Sequence, residues 1–89
     1  MPKITLFTQP DSLPCEAVKL FLKDRGAKFD ELDVSRDETA LRELKDKYKS
    51  RSTPTLVIDE RVLVGFDPER IDEMLGRAPK RSLRLGLPR

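Results

Sequence analysis

Histidine is absent from this 89-residue chain, and cysteine occurs only once, at Cys15. Without histidine the chain can form neither a Ser-His-Asp nor a Cys-His catalytic arrangement, and it has no histidine ligand for a metal. A single cysteine excludes an internal disulfide and a zinc site built from paired cysteines. If the chain carries out nucleophilic chemistry, Cys15 is therefore the only strong nucleophile available.

Long apolar segments are also missing. No run approaches the ~18 residues that a membrane-spanning helix needs, and the N-terminal MPKITLF lacks the apolar region of a signal peptide. We therefore expect a cytoplasmic protein without membrane contacts. The composition, 37% hydrophobic and 38% charged, fits one small α/β domain with well-solvated helices.

Basic residues are concentrated at the C-terminus, where residues 77–89 hold five lysines and arginines and no acidic residue. The remaining 13 basic and 16 acidic residues give residues 1–76 a net charge of −3. This balance argues against a nucleic-acid-binding domain. We predict a domain over residues 1–76 and a flexible basic tail over 77–89. The alternative is that the tail itself carries the function by contacting an acidic partner, a phosphate-rich surface or RNA.

Hydrophobic periodicity predicts seven elements in the order β-α-β-α-β-β-α. The predicted strands cover residues 3–8, 28–34, a short stretch after Pro54 and a stretch ending before Gly65, and the predicted helices cover 14–25, 38–48 and 68–75. The first two strands should be parallel, with a right-handed crossover between them. The last two strands are so close in sequence that they can only form an antiparallel hairpin.

The segment TQPDSLPC combines the end of a strand, a turn and the start of a helix. Helix N-termini stabilise negative charge, and reactive thiolates are found there as pairs spaced C-x-x-C. Ser12 and Cys15 have this spacing, so the first sulfur is missing. A purely structural interpretation stays open, because Ser12 is a good N-cap, Pro14 suits a first turn and Cys15 could be a small buried apolar residue.

The element order, the TQPDS-x-x-C turn, the STP before the third strand and the GFDP before the last helix together resemble the glutaredoxin family. The resemblance covers residues 3–76 and is greatest to the small bacterial glutaredoxin-like redoxins, which include electron donors of ribonucleotide reductase. It implies an α/β thioredoxin-like fold, with a small mixed sheet flanked by helices. It also implies thiol–disulfide oxidoreductase activity.

The resemblance implies a role for each matching residue. Ser12 occupies the position of the nucleophilic cysteine, and Cys15 that of the resolving cysteine. Pro54 matches a cis-proline that faces the site, and Thr53 before it would offer its backbone groups to an extended thiol substrate. Iron–sulfur ligation in some relatives uses the first cysteine, so we expect none here.

A second set of implied roles falls on the GFDP segment. Gly65 matches a glycine that admits the substrate backbone, and Asp67 would lie near a substrate amino group. A turn followed by an N-cap, with Pro68 in the first helical turn, explains these two residues equally well. Gln9 and Phe66 replace a lysine and a second glycine of glutathione-binding members, which puts tight glutathione binding in doubt.

A serine hydroxyl cannot exchange disulfides, so the sequence predicts a glutaredoxin-like electron carrier that is weak or inactive. Three interpretations of Ser12 remain: replacement of a cysteine or selenocysteine, natural monothiol chemistry through Cys15, or a redox-silent binding domain. The expected partner is glutathione, as a co-substrate, or a protein disulfide or reductase. We expect a monomer without a bound cofactor or metal.

Overall fold

The computed structural model describes residues 3–76. The predicted order of elements is confirmed. The elements are β1 (Ile4–Thr8), α1 (Leu13–Asp24), β2 (Asp30–Asp33), α2 (Glu38–Asp46), β3 (Thr55–Ile58), β4 (Arg61–Val64) and α3 (Pro68–Met74). The basic segment predicted over 77–89 lies outside the described residues.

The strands form one mixed sheet in the order β2-β1-β3-β4. β1 and β2 are parallel, whereas β3 is antiparallel to both β1 and β4. The parallel pair is possible because α1 returns the chain to the starting end of the sheet. β3 and β4 are joined by residues 59 and 60 alone, and Asp59 has a positive φ of 57°, a conformation that aspartate tolerates in turns.

Apolar residues cover both faces of the sheet because successive strand residues point to opposite sides. On one face, Leu6 and Leu56 pack with Val18 of α1 and Ile71 of α3. The other face is covered by α2, and it buries Phe7, Val34, Ala40, Leu44 and Val57. This two-sided burial makes the whole of β3 buried.

Each helix begins at a side chain that caps it. Ser12, Asp37 and Asp67 accept hydrogen bonds from backbone N–H groups in the first turns of α1, α2 and α3, respectively. Such caps satisfy N–H groups that have no partner within the helix. The local sequence therefore fixes where each helix starts.

Two predicted elements differ from the structure by more than one residue at an end, and the others differ by at most one residue. The second helix ends at Asp46 instead of residue 48, and Tyr48 packs against Phe7 with ring centroids 5.6 Å apart. The second strand is shorter than residues 28–34, because β1 pairs with it only from Asp30 to Asp33. Among residues 3–76, none of the helices has the length and apolar character needed to cross a membrane.

Candidate active site at one end of the sheet

Three segments singled out by the sequence lie at the same end of the sheet. In β3, Thr55 pairs with Phe7 of β1 and with Val64 of β4. Because both pairings are antiparallel, the chain that enters β3 lies beside the chain that leaves β1 and β4. The sheet register thus brings together residues 9–15, 53–54 and 65–67.

Ser12 and Cys15 occupy the start of α1 but differ in exposure. Ser12 is half-buried in an extended conformation, and its Oγ accepts a hydrogen bond from the backbone N–H of Cys15 at 3.4 Å. The Cys15 side chain turns into the protein and is 1% exposed. A group at position 12 can be reached from solvent, whereas the Cys15 thiol cannot be reached without movement.

The loop before β3 is held by a small network of hydroxyl groups. The buried Thr55 hydroxyl donates to the carbonyl oxygen of Ser52 at 2.6 Å, and it lies 2.8 Å from the hydroxyl oxygen of Ser50. The peptide bond between Thr53 and Pro54 is cis. Thr53 is half-buried and Pro54 is buried, so the loop presents Thr53 at the edge of the site.

The third segment runs from β4 into α3. Gly65 has a φ of 90°, and a Cβ atom there would meet nothing within 4 Å. Glycine is thus favoured by the backbone conformation and not by crowding. Asp67 is the N-cap of α3 and accepts a hydrogen bond from the N–H of Arg70 at 3.2 Å, with Pro68 in the first turn. The capping role that the sequence allowed for Asp67 is therefore present.

The three segments of the site expose two large apolar side chains. Leu13 is 83% exposed and Phe66 is 42% exposed. Gln9 is exposed, and the three segments together contain no lysine or arginine. The nearest basic residue in sequence is Arg51, two positions before Thr53.

A polar cluster beside α1 was not anticipated from the sequence. Thr8, at the end of β1, donates a hydrogen bond to Glu31 at 3.0 Å, and Lys19 forms ion pairs with Glu31 and Glu16. The hydrogen bond to Glu16, together with the charge of Glu31, raises the pKa of Lys19. Only the spacing of Glu16 and Lys19 on one helix face could have predicted part of this cluster.

Metal ligands are not gathered anywhere in the described part of the chain. Within residues 3–76, no group of three or more cysteine, aspartate or glutamate side chains is arranged to hold a metal ion. The polar side chains at this end of the sheet include the Ser12 hydroxyl and the carboxylates of Asp11 and Asp67, and the Cys15 thiol lies beneath them.

Comparisons with known proteins agree with this architecture. The glutaredoxin family model matches residues 4–63. The Gene 56 protein of Mycobacterium phage D29 is 34% identical over 73 residues, which are 81% of each chain. Among solved structures, the thioredoxin-like protein BC3987 has a TM-score of 0.79 at 44% identity, covering 81% of this chain and 99% of its own.

A second solved structure is the glutaredoxin-like protein NrdH-redoxin from Escherichia coli. It is 30% identical with a TM-score of 0.75, and the match covers 86% of this chain and 99% of that protein. The fold is thioredoxin-like. Within that class, the chain belongs to the glutaredoxin family.

Proposed function

We propose that the chain has the scaffold of a glutaredoxin-like thiol–disulfide electron carrier and that Ser12 stands at the position of the attacking cysteine. The observation that carries this proposal is the relation between Ser12 and Cys15. Position 12 is accessible at the start of α1, and the only cysteine lies three residues further on and is buried. This is the arrangement expected when an exposed group attacks first and an inner sulfur resolves.

With sulfur at both positions, the reaction would proceed in two exchanges. A thiolate at position 12 attacks the substrate disulfide, forms a mixed disulfide and releases one substrate thiolate. The Cys15 thiolate then attacks the sulfur at position 12, releases the second substrate thiolate and leaves an internal disulfide. The substrate disulfide thereby gains two electrons. A thiol reductant must then supply two electrons to reduce the internal disulfide.

With serine at position 12, the first thiol–disulfide exchange cannot take place. A helix terminus stabilises negative charge by about 1 kcal/mol at an exposed position, too little to ionise a serine hydroxyl near pH 7. Cys15 alone could form a mixed disulfide with a partner but has no second sulfur to resolve it. Its burial also opposes monothiol chemistry, because the incoming disulfide must reach the Cys15 Sγ atom. We therefore expect the chain to be weak or inactive in disulfide reduction.

A protein disulfide or a protein reductase is a better partner for this site than glutathione. Glutathione carries two carboxylates, and the segments of the site contain no cation while they carry Asp11 and Asp67. Exposed Leu13 and Phe66 instead offer apolar area to a larger partner. The glutaredoxin-like relative from Escherichia coli, described as having a thioredoxin-like activity profile, supports the same choice. A cytoplasmic monomer stays a prediction.

A redox-silent binding module is the second candidate. The observation in its favour is that both sulfur positions are unreactive as they stand, with serine at one and a buried thiol at the other, while Leu13 and Phe66 remain exposed beside them. Such a domain would hold an extended partner segment against Thr53 without turning it over.

The test compares the chain with its Ser12→Cys variant in a coupled assay, in which thioredoxin reductase or glutathione with its reductase supplies electrons. We expect turnover from the variant only. The double variant Ser12→Cys with Cys15→Ala should lose turnover on protein disulfides, because the mixed disulfide can no longer be resolved internally. Activity of the unmodified chain that disappears on Cys15→Ala would establish monothiol chemistry and contradict our proposal.

Folding must be matched before these activities are compared. Ser12→Ala removes the cap of α1 and should lower the free energy of unfolding by about 0.5–1 kcal/mol. Ser12→Cys should fall within that range, so the variants stay folded under assay conditions. If folded Ser12→Cys is inactive with every reductant, the binding module becomes the better description.

A further inference from the structure

Arg25 and Asp72 join the end of α1 to α3 through two parallel hydrogen bonds. Arg25 Nε donates to Asp72 Oδ1 at 2.5 Å, and Arg25 Nη2 donates to Asp72 Oδ2 at 3.1 Å. The side chains are 16% and 11% exposed. A bidentate contact of this kind fixes the plane of the guanidinium group as well as its position.

Desolvation of the two charges offsets much of their attraction, so a largely buried ion pair is weak evidence for stability. The role of the pair follows instead from a second contact of the guanidinium group, with the ring of Phe21. The Arg25 Cζ atom lies 3.4 Å from the centroid of the Phe21 ring, which places the guanidinium against the ring face. Arg25 thereby links the ion pair to an aromatic side chain of α1.

The Phe21 ring in turn contacts Phe66. The two ring centroids are 5.8 Å apart, with an interplanar angle of 75°. Edge-to-face contacts of this kind are favourable and directional. Phe66 lies between Gly65, which hydrogen-bonds to Pro54, and Asp67, the N-cap of α3. A continuous set of contacts therefore leads from Asp72 to a partly exposed ring at the candidate active site.

We propose that Arg25 and Asp72 are positioning residues that hold the Phe66 ring, through Phe21, in the orientation that receives a protein disulfide. The role at the substrate rests on the proposed function, whereas the holding of the ring does not. Phe66 is 42% exposed and lies in a short connecting segment. Without the contact to Phe21, its ring would be free to adopt several rotamers. Ordering the ring before the partner arrives removes part of the entropy loss of binding.

The activity arm uses the Ser12→Cys background and the changes Arg25→Met, Arg25→Lys and Asp72→Asn. We expect KM for a protein disulfide to rise on the order of three- to tenfold, with kcat little changed. A small aliphatic disulfide such as hydroxyethyl disulfide should show no change. Arg42→Met, an exposed arginine of α2, is the matched control and should leave both substrates unaffected.

Arg25→Lys separates charge from geometry. Lysine keeps the positive charge but cannot hold a planar fork against both Asp72 and Phe21. We expect it to behave like Arg25→Met. Full rescue by lysine would overturn the positioning role, because charge alone would then be enough.

The structural arm uses the chain as it stands, with selectively labelled phenylalanine and ring-to-ring nuclear Overhauser effects. The effect between Phe21 and Phe66 should be strong in the chain and in Arg42→Met, and weak in Arg25→Met and Asp72→Asn. If Arg25→Met does not fold, Asp72→Asn, which is nearly isosteric, still decides the outcome. A ring contact that survives both Arg25→Met and Asp72→Asn would overturn the proposal.

The two arms separate the possible failures. An inactive Ser12→Cys variant would contradict the proposed function, while the ring contacts still decide whether Arg25 holds Phe66. If the rings become disordered but KM is unchanged in an active background, positioning for the substrate is wrong. In the combination Arg25→Met with Phe66→Ala, KM should match that of Phe66→Ala alone, because Arg25 acts through that ring.

Discussion

The backbone N–H of Gly65 donates a hydrogen bond to the carbonyl oxygen of Pro54 at 2.8 Å, so the residue after β4 is tied to the residue before β3. Gly65 holds a φ of 90° in this contact. We expect Gly65→Ala to lower the free energy of unfolding by about 1–2 kcal/mol, because a residue with a Cβ is strained at this φ even where space is open. Urea denaturation measures the change.

Gly76→Ala is the control for this prediction, since Gly76 has a φ of 80° after α3. Both variants should lose similar stability. Only Gly65→Ala, in the Ser12→Cys background, should raise KM for a protein disulfide. An equal effect of the two variants on KM would show that Gly65 has no role at the site.

Thr55→Val should destabilise the protein even though the two side chains have nearly the same shape. The change removes the hydroxyl that donates to the Ser52 carbonyl oxygen and contacts Ser50 Oγ, which leaves buried polar atoms without this partner. The expected loss is about 1–3 kcal/mol in the free energy of unfolding. Thr39→Val, on the exposed surface of α2, should change stability by less than about 0.5 kcal/mol. Equal effects at the two positions would contradict the hydroxyl network.

Cys15 should react slowly with iodoacetamide in the folded chain. Its side chain is 1% exposed, so alkylation requires local or global opening. We expect the rate in the absence of urea to be at least about tenfold lower than in denaturing urea, measured by mass spectrometry at constant pH. Similar rates in the two conditions would mean that the thiol is accessible, and monothiol chemistry would then have to be reconsidered.

Asp33 should contribute to stability in a way that depends on pH. Ser35 donates to Asp33 Oδ1 from its hydroxyl at 2.6 Å and from its N–H at 2.9 Å, and these bonds lower the pKa of Asp33 below its usual 3.8. Because the folded-state pKa is the lower one, ionised Asp33 stabilises the protein above pH 3.8. This contribution is lost as the pH falls through the folded-state pKa.

The corresponding measurement is urea unfolding of the chain and of Asp33→Asn between pH 2 and pH 6. The chain should have a higher free energy of unfolding than the variant at pH 6. The difference between the two free energies should become smaller toward pH 2. Glu60→Gln, in the turn between β3 and β4, is the control and should show a smaller dependence on pH. A difference between chain and variant that stays constant over this range would contradict the prediction.

The sequence by itself determined the order of the elements and the starts of the helices. Periodicity is a local property, and so are the capping residues Ser12, Asp37 and Asp67, which lie within three residues of the N–H groups that they satisfy. The short connection between β3 and β4 fixed their antiparallel pairing for the same reason. The spacing of Ser12 and Cys15 located the candidate site because both belong to the first turn of one helix.

Tertiary structure determined the features that depend on contacts between separate helices and strands. α2 ends where Tyr48 turns to pack on Phe7, and β2 is only as long as its pairing with β1. Asp72, which pairs with Arg25, lies 47 residues away on a different helix. Periodicity and capping carry no information about contacts at such separations, because they arise only when the helices dock on the sheet. For the same reason, only the folded chain shows that Cys15 is buried while Ser12 and Phe66 remain within reach of a partner.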